Sequence, residues 1–137
     1  MTNSTTTDSA LDLFVYGTLT DPDRAADLLD TYAYRGDAVL HGLHRERGRY
    51  PTLAPGGSAS GRVLRTDDVA ALDRYERVDR GLYVRVTVPR TDAEGTVETY
   101  VGDPAELDAP VSWPGDDPFP DCTNAYLDRE DVTVSFK

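Results

Sequence analysis

Apolar and polar positions along the chain fall into short runs whose spacing predicts alternating strands and helices. Leu11 to Val15 alternates and then turns wholly apolar; it is short and ends in turn residues, so it predicts a strand. From Asp21, "DPDRAADLLD" carries a capping Asp21, Pro22 at the first helical position and apolar Ala25, Ala26, Leu28 and Leu29, the pattern of a short amphipathic helix. Ala33 to His44 alternates loosely, with Val39 and Leu43 as core candidates, and "GRYPTLAPGG" then predicts a loop before a strand resumes over Ser60 to Leu64. In "TDDVAALDRYERV", Val69, Leu72, Tyr75 and Glu76 recur at helical spacing behind a Thr66 or Asp67 cap, predicting a helix that ends near Asp79 to Gly81.

The clearest period-two stretch is "LYVRVTVPR": Leu82, Val84, Val86 and Val88 share one face, and Tyr83, Arg85 and Thr87 the other. "GTVETYVGD" repeats that period after "DAEG", so the two predict a hairpin. Residues 103–121, rich in Pro and Asp, predict an irregular excursion before a last strand in "DVTVSFK". The excursion holds Trp113, which is either a lid or part of a packed terminus, with packing favoured. No repeat and no linker divides the chain, so residues 11–137 are expected to form one domain behind a disordered leader at residues 1–10.

The formal charge is -11, with carboxylates spread along all 137 residues and no basic block, so nucleic acid is a poor partner. Lys137 is the only lysine, and Asp greatly outnumbers Glu. That composition fits a cytoplasmic protein of a salt-accumulating halophile, whose surface stays soluble where self-repulsion is screened. No apolar run is long enough to cross a membrane, and "MTNSTTTDSA" lacks the basic and apolar regions of a signal peptide. Cys122 is the single cysteine; without a nearby basic partner it is expected to be a spectator.

Familiar chemical motifs are mostly excluded. Glycine patterns for nucleotide phosphates are absent, and "GGSASG" has Ala59 where a nucleophile elbow needs Ser. His41 and His44 should point to opposite faces of a strand, so no metal site is expected. Two stretches remain. At Tyr16-Gly17-Thr18 the chain leaves a strand through a bend that either is a plain turn or aims successive N–H groups at an anion. Glu76 either pairs with Arg85 across the helix-strand packing or, at the edge of a core, gains a raised pKa suited to proton transfer.

Taken together, "FVYGTL", "YPTL", "LDRYE", "GLYVRVTV" and "ETYVG" resemble, in order and spacing, the gamma-glutamylcyclotransferase-like superfamily, on its AIG2-like and gamma-glutamylamine cyclotransferase side. The resemblance runs from about Leu13 to Gly102. It implies a mixed α/β (α+β) fold, a small twisted β-barrel with short helices packed outside and a pocket at one end. It further implies that the backbone of Tyr16, Gly17, Thr18 and Leu19 holds a gamma-glutamyl group, that Glu76 is the catalytic acid/base, and that Tyr83 lines the same pocket. The implied reaction closes a gamma-glutamyl amine, peptide or amino acid to 5-oxoproline and frees an amine, with neither metal nor cofactor required. Arg77 stands where the family often has a small residue, which bears on the entrance and on the leaving group. Two other functions remain open: a non-catalytic module that holds an acidic metabolite, and an amide-cleaving enzyme acting on another gamma-glutamylated compound.

Overall fold

Strand β1 (Leu11–Val15) is apolar throughout its second half because both of its faces are covered. In the computed structural model, which describes residues 10–48, 50–91, 94–115 and 118–137, Leu13, Phe14 and Val15 are all buried. Successive strand side chains point to opposite faces. Phe14 therefore joins one cluster with Leu40, Val63, Val88, Val97 and Val134, while Leu13 and Val15 join a second with Leu64, Leu72 and Tyr100. Of the leader expected at residues 1–10, residues 1–9 lie outside the described residues.

Six strands build the sheet, in the order β4-β5-β1-β3-β2-β6: β2 is Ala33–Arg47, β3 Pro51–Thr66, β4 Tyr83–Pro89, β5 Thr96–Gly102 and β6 Thr133–Phe136. All neighbouring pairs are antiparallel except β1 with β5. The sheet curls until its two ends approach, where Thr91 N–H donates to the Val134 carbonyl at 3.0 Å beside a bridge between Arg90 and Val134. Short helices α1 (Pro22–Leu28), α2 (Val69–Tyr75), α3 (Pro104–Leu107) and α4 (Phe119–Arg129) complete it. The expected α+β architecture, a curled partial barrel with short helices, is what is found.

Several local expectations are corrected. "PTLAPGG" is strand, not loop: Pro51 opens β3, and Pro55 faces Leu43 beside a register shift, positions at which a ladder tolerates the missing N–H. That shift, between His41 and Leu43, accompanies Gly42 at φ +102, where an added Cβ would stand 2.9 Å from Val132. The bulge puts Ala38, Leu40 and Leu43 in the core and leaves the expected Val39 only half-buried. Helix α2 starts after Asp68, whose N–H bonds Thr66 Oγ1 at 3.0 Å, and stops at Tyr75, several residues early, because Arg77 adopts a left-handed φ of 55°.

The excursion is also shorter than expected. α3 and α4 occupy its two ends, and Phe119, Cys122, Thr123, Tyr126 and Leu127 carry the helical spacing of α4 through a run of weak helix formers. Trp113 packs edge-on against Phe119 and Tyr126, with ring centroids 6.0 and 5.4 Å away, as the packing alternative predicts. Residues 116–117 lie outside the described residues, as do 92–93 between β4 and β5. Cys122 is buried. His41 bonds Ser135 Oγ at 2.7 Å, and His44 bonds the Gly56 carbonyl at 3.0 Å. Among the described residues, no group of His, Cys, Asp and Glu could hold a metal ion, and no helix is long and apolar enough to cross a membrane.

Candidate active site

At one end of the curled sheet, several chain segments meet around a cavity of about 380 Å³. The bend after β1 contributes Tyr16, Gly17 and Leu19; the C-terminus of α2 contributes Glu76; β4 contributes Tyr83, and β5 Tyr100. Such a volume lies within the range for small-molecule sites. Thr18 begins a 3-10 turn, Thr18–Thr20, in that same bend.

Hydroxyl groups hold the walls in place. Tyr16 donates to the Tyr100 carbonyl at 2.6 Å, Tyr83 to the Pro51 carbonyl at 2.6 Å, and Tyr100 to Asp73 Oδ1 at 2.6 Å. Asp73 in turn pairs with Arg85 Nε at 3.3 Å, whose Nη1 stands 3.6 Å from Glu98. Arg85 is therefore engaged by Asp73 and Glu98, and the alternative in which it pairs with Glu76 is corrected. Burial pushes the phenols of Tyr16, Tyr83 and Tyr100 well above their ordinary value, so they keep their protons and act as donors, not bases.

Glu76 differs. It caps the C-terminus of α2, its N–H donating to the Leu72 carbonyl at 2.9 Å, and the chain then turns sharply through Arg77. Partly buried in the cavity wall, its carboxyl is pushed by desolvation from the ordinary 4.5 up to about 7. A group half-protonated at neutral pH both takes and returns a proton with little driving force lost.

The bend has its own logic. The Gly17 carbonyl accepts from Thr20 N–H at 3.1 Å and Thr20 Oγ1 at 2.7 Å, and the Leu19 carbonyl accepts from Tyr34 Oη at 2.7 Å, so the turn is tied down on both sides. Gly17 is absent from the positive-φ glycines, and an added Cβ would meet nothing closer than Pro51 Cγ at 3.8 Å. Neither backbone angle nor packing requires glycine there; what its missing side chain leaves open is the cavity. Gly17→Ala should accordingly keep the melting temperature within a degree or two and weaken turnover or ligand affinity by about ten- to a hundredfold. Thermal melts beside steady-state assays measure both.

All of the residues singled out from the sequence thus fall on this one cavity or its bend. Missed were Tyr50, Arg74, Tyr75, Leu82 and the Tyr100-Asp73-Arg85 chain. Tyr50 and Tyr100 stand in or beside the quoted "YPTL" and "ETYVG", which is the one signal that could have marked them.

Comparison with known proteins identifies the family and the fold. The family model "Gamma-glutamyl cyclotransferase, AIG2-like" matches residues 13–117. Two curated Arabidopsis thaliana relatives are similar: "AIG2-like protein C", 42% identical over 103 residues and 68% of this chain, and "Protein AIG2 C", 35% identical over 98 residues and 65% of it. The matched region spans 59% of the length of each relative. A solved gamma-glutamyl cyclotransferase shares the fold, with TM-score 0.61 at 20% identity over 69% of this chain and 67% of that one. An Arabidopsis thaliana protein solved in solution aligns with TM-score 0.54 at 29% identity over 89% of this chain and 86% of that one. On the family match, which takes in the bend, Glu76 and Tyr83 alike, the chain belongs to the gamma-glutamyl cyclotransferase, AIG2-like family.

Proposed function

We propose that the protein is a cofactor-independent cyclotransferase that converts a gamma-glutamyl amine, peptide or amino acid to 5-oxoproline and a free amine. The supporting observation is that a partly buried carboxyl, pushed up to about 7 by desolvation, shares one small cavity with the backbone bend at Tyr16 to Leu19. In the reaction, the substrate's α-nitrogen attacks its own γ-carbonyl carbon. A carbon–nitrogen bond forms, the amide carbon–nitrogen bond breaks, and no water or electrons are exchanged. The α-ammonium loses two protons on becoming the ring N–H: Glu76 takes one and gives it to the leaving nitrogen, which cannot depart as an amide anion, and the other ends on the freed amine, which is released as an ammonium ion.

N–H groups of the bend bind the substrate carboxylate or the oxyanion that develops on the γ-carbonyl. Because ring closure is intramolecular, most of what the walls supply is orientation: the rigid tyrosine frame selects the folded rotamer. The charge composition supports a setting in concentrated salt, so assays belong at both low and molar salt.

Glu76 must begin as the carboxylate, so kcat/KM should fall as pH drops through about 7 and level off above it. A limb centred near 4 would contradict that role. The reaction itself is tested by incubating the protein with gamma-glutamyl amines, amino acids and peptides and quantifying 5-oxoproline by mass spectrometry. Release from at least one class is expected. No release from any, with 5-oxoproline bound tightly, would favour a non-catalytic binding module.

A further inference from the structure

Glu76 lies between two arginines that the reaction just described does not use. Arg74 and Arg77 both line the cavity, and both are exposed. The chain has 25 acidic against 14 basic residues, and some other arginines pair with carboxylates: Arg62 with Asp37 at 3.7 Å, Arg65 with Asp12 at 3.2 Å, Arg85 with Asp73 at 3.3 Å. Arg24, Arg35, Arg45, Arg47 and Arg80 make no ion pair among the described residues, but they do not line the cavity, as Arg74 and Arg77 do. Neither Arg74 nor Arg77 has an ion-pair partner among the described residues. Nor do they neutralise Glu76, since a guanidinium against that carboxyl would hold it low, and burial instead holds it high.

Their backbone is fixed. The Arg74 carbonyl accepts from Arg77 N–H at 3.1 Å, and the Arg77 carbonyl accepts from Arg80 and Leu82 N–H at 3.1 and 3.2 Å. The mouth also carries Tyr50 and Tyr75, 51% and 44% exposed, the two large apolar side chains left most open to solvent among the described residues. The cavity's volume is near the small end for ligand sites, so a glutamyl group seated against the bend and Glu76 leaves the rest of the molecule lying across this mouth.

We propose that Arg74 and Arg77 read a carboxylate on the leaving side of the substrate, so that the site selects gamma-glutamyl amino acids over gamma-glutamyl derivatives of uncharged or cationic amines. This inference rests on the cyclotransferase reading. Charge-assisted bonds to a carboxylate favour one class, and like-charge repulsion at the same place rejects a cationic leaving group. The tyrosines flank the position that the amino acid's own side chain takes.

The test compares gamma-glutamyl-phenylalanine with gamma-glutamyl-phenethylamine, which differ only in that carboxylate. Their dissociation constants are measured by calorimetry on Glu76→Gln, which holds them uncleaved, and again with Arg74→Ala and Arg77→Ala added. We expect about tenfold tighter binding of the carboxylate-bearing compound at low salt, a smaller ratio at high salt, and a ratio near one in the arginine variants. Equal affinities, or a preference that survives both substitutions, would overturn the inference, as would binding of neither compound. Turnover by the wild-type protein is followed in parallel. Turnover of both compounds without preference sinks only the arginine assignment, whereas preferential binding without any 5-oxoproline sinks the cyclotransferase reading and leaves the arginines as an anion-selecting mouth.

Discussion

Replacing Glu76 by glutamine should lower turnover by about a hundred- to ten-thousandfold, the usual worth of a positioned acid/base, and should not destabilise the protein. Glutamine keeps the shape and removes the proton-carrying group, so ligand affinity should persist while kcat falls. Stability should follow pH differently in the two proteins. The folded Glu76 carboxyl holds its proton up to about 7, against an ordinary value of 4.5, so between those values the folded state binds more protons than the unfolded one. Whatever stability this group contributes is fully present below 4.5 and is lost as pH rises through about 7. Glu76→Gln has no such loss, and its melting temperature should match or exceed the wild type at pH 8. That is the pattern of a group kept for chemistry at a cost in stability. Melting temperatures at pH 5 and 8 beside kcat decide it; a variant less stable at both values would make Glu76 a structural residue.

The second large effect belongs to the strand beneath the bend. Gly61 in β3 lies where an added Cβ would run into the Val15 carbonyl oxygen and stand 2.8 Å from Phe14 Cζ. Neither obstacle can yield cheaply. Val15 is held in the β1–β3 ladder opposite Arg62, and Phe14 is 1% exposed at the centre of the core. Gly61→Ala should therefore cost about 1–3 kcal/mol by overpacking, lowering the melting temperature by roughly 5–10 °C for a chain of this size. Because Val15 leads directly into Tyr16 and Gly17, the surviving folded molecules should also lose activity. Gly17→Ala is the contrasting case, in which packing is untouched and only the cavity is filled. Equal melting temperatures for Gly61→Ala and the wild type would refute the close approach.

Elements whose signal is local were legible in the sequence. β1, α1 and the β4–β5 hairpin follow from alternation, a capping Asp21 before Pro22, and apolar positions read one strand at a time. What failed depended on partners. Pro51 and Pro55 signal a loop unless the neighbouring strand places them at a strand start and beside a register shift; Val39 reads as core until the bulge at Gly42 resets which residues face inward. α4 was hidden by Pro, Asp, Thr and Asn, although its apolar positions keep helical spacing.

The site divides the same way. Glu76 and the Tyr16–Leu19 bend carry motifs. The Tyr100-Asp73-Arg85 chain joins residues from three elements, and only the folded sheet shows that Arg85 goes to Asp73 and Glu98 instead of Glu76.

Both the acid/base role and the pH dependence follow from one physical claim: the fold keeps a proton on Glu76 near neutral pH. Carbon-13 NMR titration of the glutamate side-chain carboxyls, with Glu76→Gln identifying the resonance, tests it without assuming any substrate. A carboxyl titrating near 7 is the predicted result. A Glu76 resonance with a midpoint near 4.5, like a solvated glutamate, would contradict the account at its root.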